Sequence, residues 1–510
     1  MLKRYSISNF KIFEGENNFD LGKITLIYGP NSSGKSSLIQ SLILLKESLL
    51  SKDIYLKTNN TYFNLGNFNT IVTNHNNAQD ICFKLFFDNN QASEFKYSFN
   101  QEERKAFLSE INSTIDTKKY KFSLSDNFLN QLTNTRNEFN LDDKNEFIKD
   151  KLNELINKKN KELKDELLNR KDNYQNLLNL IKKEKIEKNN EIEGFISNFI
   201  SEMKSLENKI EEFKKIDLTT FFGKNNIIIG TKRFSKTIIP TIDLVIKGSN
   251  KNKLINEFLQ PDMRKLMFFL NRQLNAQEVK LNKLCESISY IGPLRPHPKR
   301  VYLGKNNVDT VGADGENFIE ILSEKIHIQT KINKYFQKMK IGYELQVTNN
   351  GNTIIGDSIS ILLKDTKTKI EATLVDVGFG IGQILPILVE GVFKKNSIIC
   401  VEQPEIHLHP RLQAEFANFF IENIEENSNQ WIIETHSEAL LLRFQRLVKY
   451  GHLNKEDLKI IYIDNNLDCQ KILEINIDDD GDFLTEWPEG FFEERMNELY
   501  GGDPLGGNVN

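Results

Sequence analysis

One short segment restricts the possible folds of this chain more than any other, because residues 29–36 read G-P-N-S-S-G-K-S. This is the pattern of a phosphate-binding loop, or P-loop, which lies between a strand and a helix. Both flanks fit the motif. Residues 23–28 are rich in β-branched side chains and predict a strand, and residues 36–49 have the apolar periodicity of a helix. We therefore expect this chain to bind a nucleoside triphosphate.

The residue types of the loop explain the expected chemistry. Gly29 and Gly34 allow the backbone to curl, so that several N–H groups and a helix N-terminus point at the phosphates. Lys35 is expected to reach the β- and γ-phosphates, and the Ser36 hydroxyl to bind Mg²⁺. The predicted nucleotide-binding residues of the loop are Gly29, Pro30, Asn31, Ser32, Ser33, Gly34, Lys35, Ser36 and Ser37.

Length and charge exclude several classes of protein. A chain of 510 residues exceeds what one hydrophobic core usually supports, so more than one structural unit is expected. The net charge of −4 provides no overall attraction to nucleic acid, and any contact with DNA must come from a local patch. Residues 1–8 contain no apolar signal region and no run reaches the length of a membrane span, so we expect a cytoplasmic protein without membrane contact.

Residues 101–216 differ in character from the P-loop region, because they are rich in Lys, Glu and Asn and contain no proline. Apolar residues at alternating spacings of four and three predict a short helical seam within them. The seam consists of Ile192, Ile196, Phe199, Met203, Leu206, Ile210 and Phe213. Two interpretations remain: an inserted helical arm offered to a partner, or an amphipathic helix that covers the core. We favour the insertion, because the strands that a P-loop lobe still needs occur only later in the chain.

Two buried strands with polar ends supply the rest of a P-loop site. Residues 397–401 form a continuous apolar run that ends in Glu402-Gln403-Pro404-Glu405, where a second P-loop element holds Mg²⁺. Residues 430–434 form another strand, which runs into Thr435-His436-Ser437. Ligands of α/β proteins bind at such carboxyl ends of strands.

These motifs, taken in this order, resemble the ABC-type ATPase heads of the RecF, SMC and OLD group, and specifically the stand-alone bacterial AAA-type ATPases. Matching segments cover residues 1–100 and about 285–500 and leave the insertion unmatched. The further segments that carry the resemblance are residues 7–13 (I-S-N-F-K-I-F), 290–295 (Y-I-G-P-L-R), 311–316 (V-G-A-D-G-E), 377–383 (V-G-F-G-I-G-Q) and a tail at 487–492 (W-P-E-G-F-F).

The resemblance implies an α/β fold, an ABC/SMC-like P-loop ATPase head with a mixed sheet and an inserted charged helical arm. It implies four segments: an N-terminal lobe at 1–100, a helical or mixed insertion at 101–284, a C-terminal lobe at 285–475 and a tail module at 476–510. ATP and Mg²⁺ are the implied ligands.

In such heads, two subunits sandwich ATP, and a glycine-rich signature loop of one subunit contacts the nucleotide of the other. The segment Gly378 to Gln383 is similar to that loop, with Gly380, Gly382 and Gln383 as its nucleotide-contacting residues. Gly380 replaces the usual serine, so a side-chain contact is lost while backbone donors remain. A helix over residues 384–392 is expected to point its N-terminus at the partner's γ-phosphate.

The carboxylate strand also departs from the family pattern. Glu402 takes the Mg²⁺-side role that is usually filled by Asp, and Gln403 stands where the usual catalytic glutamate would be. An amide orients water but cannot accept its proton. Either hydrolysis is slow, or Glu405 is the base; a carboxylate at a helix start that accepts backbone N–H groups is an equal alternative for Glu405. His436 resembles the switch histidine that contacts the γ-phosphate.

Two functional classes remain at this stage. The first is an ATP-dependent dimeric switch that controls an effector, often a nuclease, as in the bacterial anti-phage systems that such ATPases resemble. The second is a RecF- or SMC-like DNA-maintenance ATPase that grips DNA through its dimer. A basic cluster at residues 295–300 either contacts DNA phosphates or forms a rigid loop held by salt bridges. The short seam is too small for an SMC-length arm, which favours the switch.

Overall fold

The computed structural model describes residues 1–51, 53–87, 91–115, 118–124, 138–141, 146–183, 190–214, 227–232, 241–246, 260–304, 308–351, 358–464 and 472–488. The chain divides into two compact units. The first unit comprises Met1–Asp88, Lys96–Phe107 and Asn282–Asn510, and the second comprises Asn89–Phe95 and Leu108–Leu281.

The chain contains both strands and α-helices, as the predicted α/β class requires, and the two alternate one by one between residues 379 and 463. The strands are β1 Leu2–Phe10, β2 Phe13–Asp20, β3 Ile24–Tyr28, β4 Ile81–Phe87, β5 Gln91–Asn100, β6 Lys105–Ile115, β7 Lys118–Leu124, β8 Glu138–Leu141, β9 Ile227–Lys232, β10 Thr241–Ile246, β11 Ile288–Ile291, β12 Tyr302–Leu303, β13 Tyr343–Asn349, β14 Ser358–Asp365, β15 Glu371–Thr373, β16 Ile398–Glu402, β17 Gln430–Glu434, β18 Leu458–Ile463 and β19 Ile472–Ile475. The helices are α1 Lys35–Leu50, α2 Phe68–Ile71, α3 Glu146–Lys183, α4 Asn190–Lys214, α5 Gln260–Ser287, α6 Phe318–Glu324, α7 Ile326–Lys338, α8 Phe379–Phe393, α9 Pro410–Asn427 and α10 Glu438–Lys449.

The first unit is built on a mixed sheet with the strand order β11-β16-β17-β3-β18-β19. The pairs from β11 to β18 are parallel, and only the edge strand β19 is antiparallel to its neighbour. Every residue of β3, β16 and β17 is buried, as expected for parallel strands that are covered on both faces. The strands predicted at 23–28, 397–401 and 430–434 are therefore confirmed to within one residue at each end, and so is the mixed α/β sheet.

The sheet order places the three chemical segments next to one another. The P-loop follows β3, the segment Glu402 to Glu405 follows β16, and β17 lies between these two strands. Parallel strands end at the same edge of a sheet, so all three segments meet there. The Thr435 N–H donates to the Ile27 carbonyl and the Gln403 N–H donates to the Glu434 carbonyl, which continues the ladder past the strand ends.

Helix α8 is joined to α9 and β17 by a buried cluster of asparagine side chains. The Gly391 carbonyl accepts from the side-chain nitrogens of Asn423 at 2.6 Å, Asn427 at 2.7 Å and Asn429 at 3.1 Å. The Trp431 indole N–H donates to Asn423 Oδ1 at 3.0 Å. Buried amides and carbonyls need such partners, so this cluster fixes the C-terminal end of α8 against the start of β17.

Residues of the predicted tail pack beside the P-loop strand. The Trp487 ring lies edge-on to the rings of Tyr28 at 5.8 Å, Tyr462 at 5.9 Å and Phe483 at 5.2 Å. Tyr28 immediately precedes the P-loop, and its hydroxyl donates to the Ser437 carbonyl. Residues 489–492 of the tail motif lie outside the described residues.

The second unit contains antiparallel strands and a helical hairpin. Strands β6 to β10 pair antiparallel in succession. Helices α3 and α4 form the hairpin, which we call the arm, with an ion pair from Arg170 to Glu202 and another from Lys171 to Glu207. Leu206 and Ile210 of the predicted seam are buried, which confirms a helix with one apolar face. No helix in the described part of the chain combines the length and apolarity of a membrane span.

Candidate nucleotide-binding site

The P-loop has the geometry that its sequence predicts. Helix α1 begins at Lys35, directly after Gly34, whose φ of 97° lies in the left-handed region that glycine adopts without strain. A Cβ at Gly34 would lie 2.2 Å from Ile12 Cδ1, and a Cβ at Gly29 would lie 2.0 Å from the Ile463 carbonyl oxygen. Gly29 therefore requires glycine because backbone occupies the space of a Cβ, and Gly34 favours glycine because of its left-handed φ.

Lys35 is buried at the start of the helix and points back into its own loop. Its ammonium donates to the Gly29 carbonyl at 3.0 Å and to the Pro30 carbonyl at 2.7 Å. Burial lowers the pKa of Lys35, while the charges of Glu434 and Glu405 oppose that change. An ammonium held only by neutral carbonyls gains a stronger interaction when phosphate oxygens arrive.

The remaining loop residues divide into an exposed rim and a buried interior. Pro30, Asn31 and Ser32 are exposed, whereas Ser33 and Ser37 are buried. The Ser33 hydroxyl has no hydrogen-bond partner among the described atoms. A buried hydroxyl without a partner is costly, and a phosphate oxygen would satisfy it. The loop therefore fits a bound phosphate group.

Glu402 ends strand β16 in a buried position. Its carboxylate accepts a hydrogen bond from the Tyr290 hydroxyl at 3.0 Å. Burial raises the pKa of Glu402 to about 8, and the nearby Glu434 charge acts in the same direction. Tyr290, Arg295 and Lys11 oppose this rise. The predicted Mg²⁺-side carboxylate thus lies at the strand end, with a tyrosine as its partner.

A buried arginine fixes the turn after β16. Arg295, which is only 6% exposed, donates to the Glu402 carbonyl at 2.9 Å and to the Gln403 carbonyl at 3.1 Å. Gln403 has a φ of 45°, a strained conformation for a residue with a side chain, and these contacts hold it there. Arg300 forms a two-point ion pair with Asp376. Two members of the basic cluster at residues 295–300 therefore have partners within the protein. This agrees with the interpretation of the cluster as a rigid loop and not as a DNA contact.

Glu405 links this turn to the segment Thr435-His436-Ser437, which we call the switch segment. One carboxylate oxygen accepts from the Thr435 hydroxyl at 2.7 Å, and the other accepts from the His436 backbone N–H at 2.6 Å. Burial raises the pKa of Glu405, and these two hydrogen bonds oppose the rise. Helix α9 begins only at Pro410, and the backbone N–H that donates to Glu405 belongs to His436, directly before Ser437, the N-cap of α10.

His436 is exposed at the end of β17, beside the P-loop lysine. Burial of part of the ring and the positive charge of Lys35 both lower its pKa. A neutral imidazole beside Lys35 provides a donor and an acceptor at the edge of the phosphate site. The structure thus brings His436, Lys35, Glu402, Gln403 and Glu405 together at one edge of the sheet.

Sequence reasoning missed Glu434, the last residue of β17. This residue is 4% exposed and lies beside the P-loop strand, in register with Ile27. Burial raises the pKa of Glu434, while Ser36 and Lys35 oppose the rise. The signal was available in the sequence, because a carboxylate at the end of a fully apolar strand was the reason for selecting Glu402.

The signature segment, Gly378 to Gln383, differs from its predicted form. Helix α8 begins at Phe379, with Gly378 as N-cap, so Gly380, Gly382 and Gln383 lie inside the helix and not in a loop before residue 384. Close packing overrides the low helix propensity of glycine here, because a Cβ at Gly380 would lie 2.9 Å from the His407 carbonyl oxygen. Gln383 is buried, and its side-chain nitrogen has no partner among the described atoms.

Restoring the family's serine at Gly380 is expected to destabilise the protein. The Cβ of Gly380→Ser would meet backbone, which cannot move aside as a side chain can, so we expect a loss of about 1–3 kcal/mol in the free energy of unfolding. The matched control is Gly378→Ser, where a Cβ meets nothing within 4 Å. Urea unfolding measures both. Equal stability of the two variants would show that the Gly380 contact does not exclude serine.

Comparisons with known proteins agree with this site. A family described as "AAA ATPase domain" matches residues 1–441, which include the P-loop, the carboxylate turn and the switch segment. No curated protein matches the chain.

Several solved structures are similar to the chain at low identity. The SMC head domain from Thermotoga maritima is 10% identical, with a TM-score of 0.34 over 94% of this chain and 99% of that one. The Smc head domain with an extended coiled coil, bound to the C-terminal domain of ScpA, from Pyrococcus furiosus is 11% identical, with a TM-score of 0.36 over 98% of both chains. The Smc head domain with a coiled coil and joint from Pyrococcus yayanosii is 11% identical, with a TM-score of 0.37 over 98% and 99%. Likenesses at these TM-scores identify neither substrates nor partners.

Proposed function

Because the chain belongs to the AAA ATPase domain family and is an ATPase, we propose that it acts as an ATP-dependent dimeric switch. The switch controls an effector protein, a nuclease in this proposal, in bacterial anti-phage defence. The motif resemblance supports the class of system, and one structural observation supports the switch itself: the bridge that Glu405 makes between the turn after β16 and the switch segment.

The Glu405 bridge connects two segments that both contain residues of the proposed catalytic site. The turn after β16 carries Gln403, where a hydrolytic water would be oriented, and the switch segment carries His436 beside Lys35. A carboxylate that accepts from both Thr435 and the His436 backbone holds these groups in one arrangement. Arrival or loss of the γ-phosphate changes the charge beside Lys35, and the bridge passes that change to the turn.

The chain's own residues account for binding of the phosphates. The N–H groups of the loop and the start of α1 face the phosphates, and Lys35 exchanges the Gly29 and Pro30 carbonyls for phosphate oxygens. The partnerless Ser33 hydroxyl fits a phosphate oxygen. Ser36 and Glu402 are the proposed Mg²⁺-side residues. The metal, when bound, supplies charge neutralisation at the phosphates.

The proposed dimer uses the signature segment as its second half-site. In this proposal, Gly380, Gly382 and Gln383 of one protomer contact the ATP that is held by the P-loop of the other, with the start of α8 directed at the γ-phosphate. The Phe379 ring contacts the rings of His297 and His407, with centroid distances of 5.1 Å and 5.0 Å. Two imidazoles, which can stack or form hydrogen bonds, therefore lie beside the first residue of α8.

Residues 101–284 are proposed as an insertion between the lobes 1–100 and 285–475, with 476–510 as a tail module. Within the insertion, helix α3 is about 57 Å long at 1.5 Å per residue, and exposed apolar side chains such as Leu168 and Phe195 lie on the arm. We propose that the arm engages the effector.

Removing the arm is expected to leave ATP affinity unchanged. Strands β8 and β9 pair antiparallel, with Asn140 opposite Gly230, so a short Gly/Ser bridge in place of residues 142–226 can join adjacent strand ends. Calorimetry measures ATP binding, and circular dichroism checks that the variant is folded. Binding of the effector should be lost. A folded variant that no longer binds ATP would show that the arm contributes to the nucleotide site.

The function itself is tested by oligomeric state and by defence. Light scattering should show a monomer without nucleotide and a dimer with the non-hydrolysable analogue AMP-PNP, and Lys35→Ala should stay monomeric. Cells that express the chain with its neighbouring open reading frames should resist phage, and Lys35→Ala should remove that resistance. An ATPase that remains monomeric, or protection that does not depend on Lys35, would contradict the proposal.

The alternative, a DNA-maintenance ATPase, predicts ATP-dependent DNA binding. The basic cluster was its support in the sequence, but Arg295 is buried against carbonyls and Arg300 is paired with Asp376. Fluorescence anisotropy with labelled duplex DNA decides between the two functions. Tight binding that requires AMP-PNP would favour the DNA-maintenance function.

A further inference from the structure

Glu434 occupies a position that neither its sequence context nor the proposed chemistry so far explains. Strand β17 lies directly beside the P-loop strand β3, with Glu434 in register with Ile27, two residues before Gly29. The carboxylate is therefore beside the loop, where Ser36, the residue expected to bind Mg²⁺, favours the charged form of the carboxylate.

One oxygen of this carboxylate has no partner. Glu434 Oε2 is buried and accepts no hydrogen bond among the described atoms. A carboxylate is seldom buried without compensation, because removing it from water costs several kcal/mol. Lys35 interacts with Glu434 electrostatically, but its ammonium donates to the Gly29 and Pro30 carbonyls. Among the described residues, no cation donates a hydrogen bond to this oxygen.

Glu402, the neighbouring carboxylate, is less well placed to bind the metal. Glu402 is in register with Glu434 on the next strand but lies one strand farther from the P-loop, and Tyr290 already donates to it. Mg²⁺ in nucleotide sites usually keeps several waters and uses one or two carboxylates together with phosphate oxygens. Two carboxylates at adjacent strand ends meet that requirement.

We propose that Glu434 is a metal-binding residue of the ATP site, which uses its partnerless oxygen to hold, directly or through a bound water, the divalent cation that Ser36 also binds. The proposal rests on the proposed ATP–Mg²⁺ site and assigns to it a carboxylate that the motif does not contain. Removal of this carboxylate is therefore expected to weaken the binding of the metal and to leave the binding of the nucleotide intact.

Two binding measurements separate these effects. Electron paramagnetic resonance follows Mn²⁺ binding in the presence of AMP-PNP, and a fluorescent ATP analogue in EDTA reports nucleotide binding without metal. Glu434→Gln should lower Mn²⁺ affinity about 10-fold or more. Its metal-free nucleotide affinity should be equal or higher, because a negative charge near the phosphates is removed. Glu434→Asp should recover part of the Mn²⁺ affinity.

The controls distinguish the possible failures. Glu371→Gln makes the same chemical change at an exposed strand residue and should alter neither measurement. Unchanged Mn²⁺ affinity in Glu434→Gln would overturn the inference, as would a loss of nucleotide binding equal to the loss of metal binding. Failure of the wild-type protein to bind the nucleotide both with Mg²⁺ and in EDTA would instead contradict the proposed nucleotide site.

Discussion

Lys35→Ala is expected to lower ATP affinity at least about 100-fold and to abolish measurable phosphate release. Each hydrogen bond to a charged group contributes about 1.5–3 kcal/mol, and Lys35 exchanges two carbonyl contacts for two phosphate contacts. The loss is large because the ammonium is buried, so water does not replace it. Calorimetry measures the affinity, and a phosphate-release assay measures turnover.

A second lysine provides the matched control. Lys23 lies just before β3 and forms a partly exposed ion pair with Asp457, so Lys23→Ala should retain ATP binding. If Lys35→Ala binds and hydrolyses ATP at the wild-type level, the P-loop assignment is wrong. If both variants lose binding together, the effect lies in the fold of the strand and not in the phosphate contact.

Substitutions at Gln403 and Glu405 should change turnover in opposite ways, depending on which group activates water. A well-placed base contributes about 10²–10⁴-fold to the rate. If the Gln403 amide limits proton removal, Gln403→Glu should increase turnover by less than that factor, because the site is not adapted to a carboxylate. If Glu405 is the base, Glu405→Gln should abolish turnover and preserve ATP binding, and Gln403→Glu should change little or slow the reaction. Single-turnover hydrolysis measures both variants.

The bridge from Glu405 to the switch segment requires one more variant. Glu405→Gln also weakens the bridge, since an amide accepts at only one of its two polar atoms. Thr435→Val removes the hydroxyl that donates to Glu405 and leaves the carboxylate in place. If Glu405 is the base, Thr435→Val should retain most of the turnover. If Thr435→Val loses as much as Glu405→Gln, the bridge and not the base determines the rate.

The parts of the fold that could be predicted are those with an unambiguous local pattern. Strands β3, β16 and β17 are short apolar or β-branched runs, and their predicted positions match the structure within one residue. The start of α8 was missed by five residues, because glycines at 378, 380 and 382 disfavour a helix locally. Only the approach of the His407 backbone, a contact distant in sequence, makes glycine suitable there.

The sequence predicted the site residues that belong to a known motif. It did not predict those whose role depends on packing in the folded chain. The P-loop could be predicted from its sequence motif. The burial of Arg295 could not, since arginine is almost always exposed. Glu434 was overlooked because no motif includes it, although the rule that selected Glu402 applies to it equally. Glu434 lies beside the P-loop because β17 is next to β3 in the sheet. This strand order could not be predicted from the sequence.

The asparagine cluster on the Gly391 carbonyl has a mechanical consequence. Helix α8 begins at the signature segment, and its far end is fastened to the start of β17, the strand whose other end carries Glu434 and the switch segment. We therefore expect a displacement of the first turn of α8 to reach the start of β17 through these hydrogen bonds. In the proposed dimer, this connection would couple the two ATP sites, and the second nucleotide would bind with a different affinity from the first.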